Sequence, residues 1–156
     1  MLSRRRIVGG VLCAAVAAAV STVSPHASPY SVTWSSAGRN GPVRLQLRIY
    51  DKAGNYRFLD RTIIADNTPP AVRVTKAPKN KARIRGTVKI STTASDRYGV
   101  SRLQLLINGK VVSTRVGAKV TFSFKATRYP RKVGVQVRAY DVAGNLRTTA
   151  KLAYHR

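Results

Sequence analysis

Glutamate does not occur in this chain of 156 residues, and Asp51, Asp60, Asp66, Asp96 and Asp141 are its whole acidic complement. That scarcity excludes a Glu-based acid/base pair and leaves few members for a multi-carboxylate metal cage. Histidine is almost as rare. His26 lies near the N-terminus and His155 is the penultimate residue, so no Ser–His–Asp or Cys–His arrangement can be built inside a packed domain. The single cysteine, Cys13, falls in the apolar N-terminal run, and beyond it the chain has no disulfide and no thiol chemistry. Glycine-rich phosphate loops, zinc-ligand spacings and EF-hand loops are missing as well. These absences together describe a chain that is not an enzyme and needs no cofactor, with calcium the one ion left to consider.

What is abundant is positive charge. Twenty-nine Lys and Arg give a net charge of +24, yet an apolar content of 44% is enough for a packed core, so the charge excess does not by itself imply disorder. Residues 1–27 read as a secretory signal peptide. Arg4, Arg5 and Arg6 form its basic start, Ile7 to Val20 its apolar stretch, and Ala17, Ala19 and Ser21 offer small-residue cleavage positions. The apolar stretch is shorter than the ~20 residues of a spanning helix, so an uncleaved anchor is the weaker alternative, and no transmembrane segment remains once the signal is removed. The expected location is secreted, at the cell surface or in the cell wall.

The chain repeats itself. Residues 32–66 align without a gap with residues 122–156, at an offset of 90. The closest stretch sets Arg48-Ile49-Tyr50-Asp51-Lys52-Ala53-Gly54-Asn55 against Arg138-Ala139-Tyr140-Asp141-Val142-Ala143-Gly144-Asn145, and Trp34 falls opposite Phe124. One full repeat with the end of another in front of it explains that spacing. Residues 67–156 form the complete copy, residues 28–66 a truncated one of three strands.

Within the complete copy, short runs of alternating apolar and polar residues separated by turn residues predict strands. They are A (Ala71 to Thr75), B (Thr87 to Ala94), C (Val100 to Ile107), C′ (Lys110 to Val116), E (Val120 to Ala126), F (Val133 to Tyr140) and G (Arg147 to Tyr154). Val88, Ile90 and Thr92, then Leu103, Leu105 and Ile107, Val120, Phe122 and Phe124, and Val133, Val135, Val137 and Ala139 face inward. Asn108-Gly109 is a two-residue hairpin signal, because both central positions of that turn need positive φ. Asp-x-Ala-Gly-Asn between F and G suits a turn capped by Asp and closed by a left-handed Gly. About seven short strands at this spacing predict an all-β protein, an antiparallel β-sandwich.

Tyr-Asp-x-Ala-Gly-Asn, succeeded by a strand and by Asp66-Asn67-Thr68-Pro69-Pro70, resembles the tandem bacterial Ig-like domains of secreted and surface proteins. Gly86-Thr87-Val88, Ser95-Asp96 with Gly99-Val100, and Asn108-Gly109 are similar to that family's B strand, B–C corner and C–C′ turn. Pro29 to Trp34 resembles its E strand. The resemblance implies an immunoglobulin-like antiparallel β-sandwich preceded by a partial E-F-G-like copy. It also implies a non-catalytic module: an adhesion element, a spacer, or a companion to a carbohydrate-active enzyme.

A front-truncated copy of about 38 residues rarely buries enough surface to fold alone. It is either the remnant of a longer multi-repeat protein or an open apolar face, with Trp34, Leu45, Leu47 and Ile49, that pairs with a second chain as a homodimer.

Two groups of residues are candidates for binding. In an Ig-type sandwich the B–C and F–G corners share the pole where the chain enters, which places Asp66, Asp96 and Asp141 near one junction as candidate calcium ligands. Calcium needs roughly six to eight oxygens, however, and Asp caps turns routinely without a metal. Lys76, Lys79, Lys81, Arg83 and Arg85 crowd the A–B connection, and Arg128, Arg131 and Lys132 the E–F connection. With Lys110 of the C–C′ turn they belong at the opposite pole. Strand parity points Arg102, Arg138, Arg147 and Lys151 outward on the C–F–G sheet, while Lys89 and Lys125 lie on the other sheet. A cationic pole of this kind attracts polyanions through counterion release. The expected partner is an anionic cell-envelope polymer or a surface partner protein. Sequence-specific nucleic-acid reading is not expected, since no recognition helix is visible. Carbohydrate stacking is a weaker reading, because Trp34 and the Phe residues take predicted core positions, with Tyr30, Tyr98 and Tyr129 as its candidate surface aromatics.

Overall fold

The computed structural model describes residues 4–8, 20–21 and 31–156. The chain divides into two compact units between Asn67 and Thr68. Most of the proposed signal, and Tyr30, lie outside the described residues. Of the signal, Arg4–Val8 (β1) and Val20–Ser21 (β2) are described, and both pair antiparallel with Ser31–Ser35 (β3). Among the described residues no helix is long and apolar enough to cross a membrane.

In the first unit, Gly41–Tyr50 (β4) and Tyr56–Ala65 (β5) form a ten-residue antiparallel hairpin from Gly41↔Ala65 to Tyr50↔Tyr56. β4 carries the alternation Val43, Leu45, Leu47, Ile49 that a two-faced strand requires. The register sets Ile63, Arg61, Leu59 and Arg57 opposite them on the same face.

The second unit is a two-sheet sandwich. One sheet has the order β10-β7-β6, from Lys119–Lys125 (β10), Thr87–Ser95 (β7) and Ala71–Lys76 (β6). In the other, Lys132–Asp141 (β11) pairs with Val100–Ile107 (β8), which pairs with Lys110–Val116 (β9). Leu146–Thr148 (β12) and Leu152–His155 (β13) share the far edge of β11. The inward-facing residues expected from the alternation form the core: Ile90, Leu103, Leu105, Val137 and Ala139 have no exposed surface. Each fully buried Val, Leu, Ile or Phe side chain stabilises the unit by about 1.5–3 kcal/mol. Ile84 and Tyr154 complete this cluster without belonging to an obvious alternating run. At the β8–β9 turn, Asn108 and Gly109 take φ of 50° and 81°, as their hairpin type demands.

Two strand expectations change. The G strand is not continuous but is split into β12 and β13. Thr149 occupies the break, its N–H donating to Val137 O at 2.9 Å while its hydroxyl oxygen accepts the Val137 N–H at 3.1 Å. A side chain thus replaces a backbone partner, and the ladder resumes at Leu152. The E strand ends one residue early, and Ala126–Arg128 forms a short 3-10 turn.

Candidate functional site

The A–B connection is pinned along β13 by a chain of hydrogen bonds. Asn80 Oδ1 accepts the Ala153 N–H at 2.8 Å and the Lys81 N–H at 3.1 Å, and the same Lys81 N–H also reaches Ala153 O at 2.7 Å. His155 N–H donates to Ala82 O at 3.1 Å, and Ile84 N–H to His155 O at 2.7 Å. Tyr154 lies in the core and donates its hydroxyl proton to Pro78 O at 3.1 Å, and burial pushes its phenol pKa up. Because Ile84 turns inward, its neighbours Arg83 and Arg85 turn to solvent. Lys79 and Lys81 are exposed on the same loop.

The other connections are tied to this one. Ala126 N–H donates to Gly86 O at 2.8 Å, joining the E–F connection to the end of the A–B connection. Tyr129 packs edge-on against Phe124 with ring centres 5.6 Å apart, which fixes the chain between Arg128 and Arg131. Asn108 Oδ1 accepts the Gly134 N–H at 2.7 Å and its own N–H donates to Gly134 O at 2.8 Å, docking the C–C′ turn beside Lys132. Lys79, Lys81, Arg83, Arg85, Lys110, Arg128, Arg131 and Lys132 therefore share one end of the second unit, all exposed. None of the connections that carry them contains an acidic residue.

Lys76 departs from this group. Strand β6 continues through it, and past an irregularity at Val74 it pairs with Ser91, in the middle of β7. Two residues join instead. Arg156 donates its N–H to Arg131 O at 2.8 Å and a guanidinium N–H to Thr127 O at 3.1 Å. Lys125 pairs with Thr87 at the same end of β7. Arg156 carried no local signal, since its placement depends on strands distant in sequence.

The outward stripe is only partly assembled. Arg102 stacks over the Tyr140 ring at 4.0 Å, and Arg138 Nε donates to Thr148 Oγ1 at 3.4 Å. Arg147, by contrast, pairs with the inward residue Ala139 and so has the inner parity of the sheet edge, although it is exposed there. The cause is the F–G turn, which sets Tyr140 opposite Leu146 and so shifts the parity of β12. Lys151 lies across Gly134, where any side chain would collide with its aliphatic stem.

Asp141 and Asp96 act on their own turns. Asp141, 2% exposed, accepts the Asn145 N–H at 2.8 Å through one oxygen and the Asn145 side-chain amide at 2.8 Å through the other. Asp96 accepts the Tyr98 N–H at 2.8 Å. The two carboxylates approach within 4.8 Å. Asp66 belongs to the first unit, next to Asn67, whose side chain donates to Ser36 O and Arg39 O. A calcium ion would have to compete with the N–H groups that Asp96 and Asp141 already accept. Asp51 repeats the Asp141 arrangement in the first unit. Its carboxyl is held below the ordinary carboxylate range chiefly by the Asn55 side chain, with the Asn55, Ala53 and Gly54 N–H groups assisting.

Tyr98 and Tyr129 are both half-buried, and Tyr129 is occupied by Phe124, so neither is a free stacking platform.

Residues 70–143 match the family model described as bacterial Ig domain, and residues 8–67 match one described as bacterial Ig-like domain. The chain is similar in structure to the fibronectin(III)-like modules of Clostridium thermocellum CbhA. The TM-score is 0.57 and the identity 24%, over 83% of this chain and 68% of that one, a likeness of fold. No curated protein matches the chain.

Proposed function

Because the chain belongs to the bacterial Ig-like domains, which serve as interaction or spacer modules, we propose that it is a secreted, non-enzymatic one. In this reading it holds the cationic end of its second unit towards an anionic cell-envelope polymer. Export rests on Arg4–Arg6 and the Ile7–Val20 stretch. The observation that supports the binding role is the convergence of three connections, tied by backbone hydrogen bonds, on one cationic end. A loop pinned along β13 presents its charges at little further cost in conformational entropy when a polymer binds. Binding releases the polymer's counterions, so affinity falls steeply with salt. About six phosphate contacts imply a loss on the order of a thousandfold between 50 and 200 mM.

Retention of the protein on purified cell wall across a salt series tests this. The expected result is strong retention at low salt, a steep decline with salt, and loss in the variant Lys79→Gln, Lys81→Gln, Arg83→Gln, Arg131→Gln. A chain not retained at low salt is a structural spacer.

A further inference from the structure

The strongest candidate outside the cationic end is an open cleft of about 430 Å³ on the β10-β7-β6 sheet of the second unit. Arg73, Thr93, Ser95 and Lys119 contribute its polar lining, Val72 and Ala94 its apolar lining. The register explains the grouping. Thr93, on the central strand, pairs with Arg73 on one side and with Lys119 on the other. Cross-strand partners share a face, so two cations flank one hydroxyl, with Cα atoms about 10 Å apart across the three strands. Arg73 Nε donates to Thr93 Oγ1 at 3.3 Å, which orients the guanidinium and leaves the Thr93 O–H to donate elsewhere. No acidic residue lines the cleft. Val72 and Ala94 pack against the core, so the cleft rests on ordered structure.

We propose that this cleft is an oxyanion subsite for a phosphate group, such as one phosphodiester of an anionic polymer. A carboxylate holds its two oxygens and their lone pairs in one plane, whereas the two non-bridging oxygens of a phosphodiester accept around a tetrahedral centre, which suits guanidinium, hydroxyl and ammonium donors supplied by three different strands. The subsite deepens the polyanion reading but uses none of the residues at the cationic end, so the two fail separately.

The test is an NMR titration of the full chain at constant ionic strength, with inorganic phosphate, polyphosphate and polygalacturonate as probes. Saturable shifts of the Arg73, Thr93, Ser95 and Lys119 amides are expected with the two phosphate probes. The double variant Arg73→Gln, Lys119→Gln is expected to weaken them by about tenfold or more. The variant of Lys79, Lys81, Arg83 and Arg131 is expected to leave them in place, even where it abolishes retention on cell wall. Unchanged affinity in the double variant overturns the subsite, as do shifts that chloride reproduces. Equal response to polygalacturonate overturns its phosphate character.

Discussion

The turns Asp51–Asn55 and Asp141–Asn145 are built alike and live in different surroundings. In each, the Asp N–H donates to Asn O, at 2.9 Å in the first unit and 3.1 Å in the second. In each, both carboxylate oxygens accept from the Asn backbone and side-chain amide, and the glycine takes positive φ, 87° and 94°. Yet Asp51 is exposed and Asp141 buried. The strands they join differ in the same way. Val133, Val135, Val137 and Ala139 are at most 1% exposed, while Val43, Leu45, Leu47 and Ile49, ninety positions earlier, are half-buried and Leu59 opposite Leu47 is 54% exposed. In the second unit β11 faces a three-stranded sheet, and β7 and β6 of that sheet precede the repeated segment. A local sequence suffices to build the hairpin. Burial requires the second layer.

The largest expected contrast is in the core. Leu105→Ala should cost about 2–5 kcal/mol of stability, because its cavity is enclosed on all sides. Leu47→Ala should cost below about 1 kcal/mol, because solvent already reaches that face. Guanidinium unfolding of the two variants measures this, and equal losses would mean that the hairpin is covered as well as β11.

A smaller contrast lies in the turns. Asp141→Ala should cost about 1.5–3 kcal/mol, the range for hydrogen bonds to a buried charged group. Asp51→Ala should cost less, since water replaces its partners. Acid weakens the first of these turns. Asp51 titrates below its unfolded value of about 3.9, so its contribution is present above that pH and is lost as pH falls through the lower folded pKa. Asp60 behaves likewise, held down by the hydrogen bond from Arg44 at 2.8 Å. Carboxyl NMR titrations check both, and an ordinary Asp51 pKa would mean that the turn opens in solution.

The smallest effect expected concerns self-association. Arg57 and Arg61 share the open face of the hairpin with Leu59 and Ile63, so two such faces would bring four guanidinium groups together. Analytical ultracentrifugation at micromolar concentration should therefore show a monomer, and a dimer would identify the hairpin as the pairing surface proposed from its apolar residues.

Period-two alternation was enough to place the strands of the second unit, and with them the inward residues, because alternation is a local consequence of the pleat. Asn108-Gly109 and the two Asp-x-Ala-Gly-Asn turns were equally evident, since positive φ and Asp capping are properties of single residues. The sandwich is a consequence of these, as is the gathering of most loop cations at one end. Tertiary pairing decided the rest. It brought Arg156 onto Arg131, moved Lys76 up the sheet, set Arg147 on the inner side, split the last strand at Thr149, and placed Arg73 and Lys119 on either side of Thr93. Each of these depends on the register between strands distant in sequence, and a one-residue slip in register reverses every side chain it touches.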